Sequence, residues 1–275
     1  MSLANLMLNL ELGLDNRHLI RVGGQLADRF DANLTGIVAC TPITMSYGDG
    51  YINGDLLKEE MDRAKTEISA LEVEFRSLLS ERANRLVWRS SSLCSSIADF
   101  VANEAVSADV LLVASSEHIE SASTRHMNNA DVLLQLGRPM LLIPRELTDI
   151  RLQVIMIAWK DTMESRRAIY DALPFLKYAH QVILMEIVDK DELELIRTKH
   201  QLVIEWLALH QIKADSLIIN ATGDDTESLR KTTSEMKIDL LIAGAYGHSR
   251  LREWVIGGMT REIMRSQSYC SFISH

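Results

Sequence analysis

Apolar positions along the chain alternate between a two-residue period, typical of strands, and a helical period of three and four. The first half opens with a strand, a helix and a second strand, expected at residues 6–12, Arg17–Phe30 and residues 34–40. The second half opens in the same way, with these elements expected at residues 154–159, 164–178 and Gln181–Val188. Strands that alternate with helices indicate βαβ units and a mainly parallel sheet with helices on both faces.

The rest of each half follows one plan, which indicates an internal duplication. A long helix, a short strand and a polar-starting helix are expected at residues 57–78, 85–89 and 95–105, and again at 193–210, 216–220 and 226–236. Asp109 and Asp239 then introduce unbroken apolar runs, as expected of a strand buried on both faces. Last strands are expected at residues 139–144 and 271–274. We therefore expect two similar units, residues 1–146 and 151–275.

Parallel sheets of this kind bind ligands at the carboxyl ends of their strands, where the strand order reverses. The segment after the fourth strand of the second half carries Gly244, Gly247, Gly257 and Gly258, and a helix begins near Gly258. Glycine lets a ligand approach the backbone closely, and a helix N-terminus offers free N–H groups and partial positive charge. This segment is therefore a candidate phosphate site, although a tight turn with a helix cap would have the same composition.

The spacing of Gly244, Gly247 and Gly257 resembles the signature of the universal stress proteins, and the duplication resembles their tandem members. The resemblance covers essentially the whole chain and is weaker in the first half. It implies two doubly wound, Rossmann-like α/β domains of the adenine nucleotide alpha hydrolase-like type. It also implies a stress-response protein that binds ATP, ADP or AMP, with or without Mg²⁺, in its second half.

The resemblance further implies the contacts of such a nucleotide. Backbone N–H groups of Gly247, Gly258, Met259 and Thr260 would face phosphate, and Gly244 would lie against ribose or base. The remaining expected contacts are Ala158, Trp159 and Lys160 beside the base, Ile187 or Val188 closing it, and His248 and Arg250 at the phosphates. For His248 the alternative is an ordinary polar loop residue, and for Arg250 it is an ion pair with Glu253.

Three features depart from the family pattern. Lys160 stands where nucleotide binders usually carry Asp, and Asp161 could replace it only with a shift of one residue. Gly258 stands where Ser or Thr is usual. The equivalent loop of the first half, residues 115–121, has no glycine, so we expect no nucleotide in that half.

Charge and composition exclude several other classes of function. Apolar residues make up 47% of the chain and charged residues 24%, so a globular core is expected. The net charge of −9 argues against nucleic-acid binding, and no apolar run approaches the ~20 residues of a membrane span. The first residues lack a basic start and a cleavage site, so no signal peptide is expected. Three widely spaced cysteines fit a reducing, cytoplasmic compartment.

The sequence contains no Gly-x-Ser-x-Gly elbow, no P-loop and no serine or cysteine in a recognisable nucleophile setting. We therefore expect a regulatory protein with at most slow ATP hydrolysis. His200 and His210 lie on a core-facing stripe, and no metal site is expected. A rival interpretation is a ligand-free interaction scaffold whose last strands pair edge to edge, giving a pseudo-dimer within the chain and a homodimer beyond it. A third is a different anionic or apolar ligand in the same cleft.

Overall fold

A computed structural model describes residues 2–41, 54–115, 125–188, 193–221, 223–245 and 258–275. The strands are β1 Asn5–Asn9, β2 Asn33–Ala39, β3 Leu86–Ser91, β4 Val110–Ala114, β5 Met140–Ile143, β6 Val154–Ala158, β7 Gln181–Val188, β8 Ala214–Asn220, β9 Leu240–Gly244 and β10 Cys270–Ser274. The helices are α1 Arg17–Phe30, α2 Gly54–Leu78, α3 Ile97–Glu104, α4 Asn129–Leu136, α5 Met163–Leu176, α6 Leu193–Leu209, α7 Asp225–Met236 and α8 Gly258–Arg265.

All the described strands form one sheet in the order β3-β2-β1-β4-β5-β10-β9-β6-β7-β8. Each half therefore repeats the same five-strand order, and its strands run parallel. The halves join where β5 and β10 pair antiparallel, with Leu141 opposite Phe272. The doubly wound α/β architecture expected from the sequence is confirmed, and the two last strands pair with each other, as the scaffold interpretation suggested.

Helices cover both faces of the sheet. One core layer lies between the sheet and α1, α2, α5 and α6, and runs without a break from the first half into the second. The other layer lies beneath α3, α4, α7 and α8. Because both layers are apolar, the central strands read as continuous hydrophobic runs rather than as alternating ones.

The first strand is shorter than the alternation predicts, because β1 ends at Asn9 rather than at residue 12. Asn16 turns the chain there. Its carboxamide oxygen accepts from the Glu11 N–H at 2.9 Å, and its amide donates to the carbonyls of Glu11 and Leu14. Leu10 and Leu12 remain buried, so the apolar pattern continues past the end of the strand.

The acidic residue before each fourth strand anchors the start of the first strand. The Asp109 carboxylate accepts from the N–H groups of Ala4 and Asn5, and the Asp239 carboxylate accepts from those of Gln153 and Val154. These bonds satisfy backbone N–H groups at the amino ends of β1 and β6. The duplication thus extends to individual hydrogen bonds.

The two halves also meet through α1 and α5. The Phe30 ring packs edge-on against Phe175 and Tyr178, with centroids 4.9 and 5.3 Å apart. Gln25 on α1 donates to the Thr148 carbonyl and accepts from the Ile150 N–H, so it holds the segment that connects the halves. No helix among the described residues is long and apolar enough to cross a membrane.

Candidate functional site

The carboxyl ends of β6, β7 and β9 meet at one edge of the second half, where α5 and α8 begin. Ala158 at the end of β6, Ile187 near the end of β7 and Met259 at the start of α8 are half-buried against the same core layer. The structure therefore places these three expected contacts against the same apolar layer.

Helix α8 starts at this edge with Gly258, Met259 and Thr260. Among the described residues, a Cβ atom at position 258 would meet only the Thr226 hydroxyl, at 3.9 Å, so none of them demands a glycine there. The first turn of α8 carries no acidic residue. Its N-terminal dipole is thus not offset by a carboxylate within the turn, a condition that favours an approaching anion.

Gly244, at the end of β9, has a packing explanation. A Cβ atom there would lie 2.5 Å from the carbonyl carbon of Glu164 and 2.5 Å from the backbone nitrogen of Ser165. The first turn of α5 therefore lies directly on β9, and the chain needs a glycine at this crossing whether or not a ligand binds.

Trp159 packs in the core layer beneath α5, and only 7% of the residue is exposed. Ala158, the residue before it, contacts the opposite layer. The Trp159 backbone N–H donates to the Met185 carbonyl at 2.7 Å, extending the β6–β7 pairing by one step. Burial in the core thus accounts for the size of this side chain.

Lys160 is exposed, and its carbonyl accepts from the Thr162 N–H at 2.7 Å. Asp161 beside it is held by two cations: Lys199 on α6 lies 2.8 Å from one carboxylate oxygen, and Arg166 on α5 bonds the other. Hydrogen bonds from Lys199 and Arg166 lower the pKa of Asp161. The carboxylate is therefore already engaged and ties the β6–α5 turn to two helices.

The other expected residues are placed as follows. Val188 is buried, and its carbonyl accepts from the Ala221 N–H at 2.8 Å. Helix α7 is capped by Asp224, as its position before Thr226 predicts. Gly247, His248, Arg250 and Gly257 lie outside the described residues. No group of three or more His, Cys, Asp or Glu side chains in the described ranges could hold a metal ion.

No family model matches this sequence, and no curated protein matches it. Its structure resembles a universal stress protein from Archaeoglobus fulgidus at 11% identity and a TM-score of 0.71, covering 98% of this chain and 95% of that one. A candidate universal stress protein from Pseudomonas aeruginosa gives 13% identity, a TM-score of 0.64 and coverages of 99% and 93%. A functionally unknown protein from the same species is 12% identical, with a TM-score of 0.63, and the match covers 99% of this chain and 92% of that one.

The chain has the fold of the tandem universal stress proteins. Both of its halves are covered by each of these long matches, so the duplicated architecture is shared rather than one half alone. At these identities the likeness establishes the fold alone.

In the first half of this universal stress protein fold, the helix that corresponds to α8 begins with different side chains. Helix α4, the counterpart of α8, is capped by Asn128, whose side chain accepts from the Ala130 N–H at 2.9 Å. Asn129 stands where the second half has Gly258, and its amide donates to the Ala114 carbonyl. Asp131 adds a carboxylate to the first turn. This N-terminus is occupied by the chain's own side chains.

The first-half loop expected to lack a ligand is described only at its start. Ser115 is buried, and its N–H donates to the Ile143 carbonyl at 2.8 Å. Residues 116–121 lie outside the described ranges. Within the described ranges, Asn9 Oδ1 at the end of β1 and His18 Nε2 on α1 are buried and have no hydrogen-bond partner. Burial and the neighbouring Arg145 lower the pKa of His18.

The sequence pattern did not predict a hydrogen-bonded group of three polar side chains in the second half. Glu186 on β7, His200 on α6 and Ser216 on β8 are hydrogen-bonded in a row beneath α6. They stand 14 and 16 residues apart on three elements, and no short motif joins them. The available signal was the polar interruption of apolar stripes at positions 186 and 200.

Proposed function

We propose that this chain is a nucleotide-responsive universal stress protein that binds ATP, ADP or AMP, with or without Mg²⁺, in its second half. In this proposal the nucleotide regulates contact with a protein partner in the cytoplasm rather than undergoing catalysis. The observation that carries the proposal is the start of α8 at Gly258, beside Thr226 at the start of α7, with no acidic residue in its first turn.

The difference between α8 and α4 supports an anion site in one half only. An N-terminus without a capping acid leaves backbone N–H groups and partial positive charge for phosphate. Gly258 leaves space above these groups, whereas Asn128, Asn129 and Asp131 occupy the same space at α4. Nucleotide phosphates would therefore face Gly258, Met259 and Thr260.

The apolar surface beside α8 suits a base. Ala158, Ile187 and Met259 offer half-buried apolar atoms at the strand ends. Binding sites of this kind combine an apolar lining with a few fixed polar groups. Gly247 and Gly257 complete the proposed site by family resemblance, with His248 and Arg250 as candidate phosphate contacts, and Mg²⁺ would arrive with the phosphates.

The proposal is tested by calorimetric titration with ATP and Mg²⁺, after removal of any co-purified nucleotide. One nucleotide per chain is expected. Gly258→Asp places a carboxylate at the N-terminus of α8, where it suits the helix dipole. Its Cβ atom would meet no described residue more closely than the Thr226 hydroxyl at 3.9 Å, so the fold should stay intact while phosphate is repelled. The matched control is Asn129→Asp at the equivalent position of α4.

Loss of binding in Gly258→Asp with normal binding in Asn129→Asp would support the site. Binding that is unchanged by Gly258→Asp would remove it. No binding to the unaltered chain would favour the ligand-free scaffold, which two observations support. Packing alone accounts for Gly244 and Trp159, and Asp161 is engaged by its own neighbours.

In the scaffold alternative, residues 1–146 and 151–275 act as a pseudo-dimer that can form a homodimer. The pairing of β5 with β10 inside one chain supports the first step and leaves neither strand free for the second. A different anionic or apolar ligand is the remaining alternative. Native mass spectrometry separates it from both, since it would reveal a bound mass other than a nucleotide.

A further inference from the structure

The Glu186, His200 and Ser216 side chains form a hydrogen-bonded relay at the outer end of the second half. His200 Nδ1 lies 2.7 Å from the Ser216 hydroxyl, and His200 Nε2 lies 3.0 Å from a carboxylate oxygen of Glu186. The His200 side chain is 1% exposed and the Glu186 side chain 11%. Ser216 is exposed, so the row leads from a buried carboxylate to a serine that solvent reaches.

The two partners of His200 indicate which of its ring nitrogens carries the proton. A carboxylate only accepts hydrogen bonds, so His200 Nε2 carries the proton that it donates to Glu186. In the neutral ring, Nδ1 is then an acceptor and faces the Ser216 hydroxyl. A serine bonded to the free nitrogen of an imidazole, whose other nitrogen is oriented by a carboxylate, is the arrangement that activates serine nucleophiles.

The fold does not require this polar group, because the first half fills the same place with apolar side chains. Gly36 pairs with Trp88 in the β2–β3 register as Leu184 pairs with Ser216 in the β7–β8 register. The position that matches Glu186 in this register is Val38, which is buried, and Trp88 packs against Phe75 of α2. Burying a histidine and a carboxylate costs free energy that an apolar group does not.

The site is open at the edge of the sheet. Strand β8 is the outermost strand of the second half in the described sheet. Alternate N–H groups of such a strand point away from its neighbour and have no strand partner.

We propose that Ser216 is a nucleophile toward small activated acyl esters, with His200 as its general base and Glu186 as a positioning residue. The serine oxygen forms a bond to the acyl carbon, and its proton passes to His200 Nδ1. The carbon–oxygen bond to the leaving alcohol breaks, and that alcohol takes the proton from the ring. Water then hydrolyses the acyl-serine by the same steps. This activity is separate from the nucleotide edge and does not depend on it.

An alkyl fluorophosphonate probe tests the proposal on the intact protein without nucleotide. The serine oxygen attacks phosphorus, fluoride leaves, and the proton is released through His200. Mass spectrometry of peptides is expected to find a single adduct at Ser216. Ser216→Ala should abolish it, and His200→Gln should slow it by roughly 100-fold or more, the usual contribution of a general base. Glu186→Gln should slow it too, and Glu186→Asp should restore part of the rate.

Ser69→Ala is the control, since this hydroxyl is on the surface of α2 and donates only to the Lys65 carbonyl. It should leave the labelling unchanged, and thermal unfolding should show that every variant is folded. Labelling of Ser216 no faster than of Ser69 would overturn the proposal. So would an unchanged rate in His200→Gln, which would leave the relay a structural element only.

Discussion

The two halves of this molecule share strand order, helix positions and even the aspartate that anchors the first strand, but they differ beneath the outer helix. Under α2 the first half packs Val38, Ile68 and Trp88, with Trp88 against Phe75 at 5.5 Å. Under α6 the second half places a carboxylate, an imidazole and a hydroxyl. Since one fold accommodates both, the polar set is a local choice rather than a condition of folding.

The same contrast holds at the ligand edge. The first half closes the start of α4 with asparagine and aspartate side chains, and the second half opens α8 with Gly258. Both proposed sites thus lie in the second half, where the polar groups differ from those of the first. Two copies of one fold can differ in this way, because the polar groups of one copy can change while both copies keep the same strand order.

The two halves also differ in where they carry a glycine within a strand. Gly36 in β2 allows the Trp88 ring to lie on it, since a Cβ there would be 2.9 Å from that ring, and its counterpart is Leu184. Gly244 in β9 allows α5 to cross it, and its counterpart is Ala114. Each half therefore needs glycine where its own helix or ring comes close.

The largest effect is expected from Gly244→Ala. The added methyl would meet the α5 backbone at 2.5 Å, and backbone cannot move aside as a side chain can. We expect a loss of about 3 kcal/mol in the free energy of unfolding, measured by urea denaturation. Ala114→Gly at the matched position of β4 should cost only about 1 kcal/mol, because it creates no overlap. Equal effects at both positions would mean that the close crossing of α5 is not a constraint.

The relay offers the next comparison. Glu186→Val leaves the buried His200 nitrogen without its acceptor, and we expect a loss of about 2 kcal/mol. Adding His200→Ile replaces the unpartnered imidazole with an apolar side chain, like those buried beneath α2, and should recover most of that loss. Urea unfolding of both single variants and the double variant gives the coupling energy, expected at about 1–3 kcal/mol. Additive losses would show that the two side chains do not depend on each other.

Much of this fold could be predicted because local periodicity and tertiary burial agree. Helix α1 and strand β7 have the predicted bounds, and the apolar runs after Asp109 and Asp239 are the buried strands β4 and β9. Strand β1 was predicted too long because Leu10 and Leu12 stay apolar beyond the turn that Asn16 makes. Burial does not report where pairing stops.

The site was less predictable, because it depends on contacts between distant segments. Sequence pattern could select Gly244, but only the crossing of α5 explains why that residue is a glycine. It could note that Trp159 is bulky, but not which core layer would take it. The relay joins residues of β7, α6 and β8, so finding it requires the strand register and the rotation of α6.

The smallest effect concerns pH at the β6–α5 turn, which the first half does not share. Hydrogen bonds from Lys199 and Arg166 lower the pKa of Asp161 in the folded state below the unfolded value of about 3.9. Its stabilising contribution is therefore fully present above that value and is lost as the pH falls through the folded pKa.

Asp161→Asn should cost about 0.5–1 kcal/mol at pH 7, since the pair is partly exposed, and the difference from the unaltered chain should vanish in strong acid. Urea unfolding from pH 7 down to pH 3 measures this, and Lys199→Met should reduce the same dependence. A difference that persists unchanged at pH 3 would show that the charge of Asp161 does not stabilise the turn.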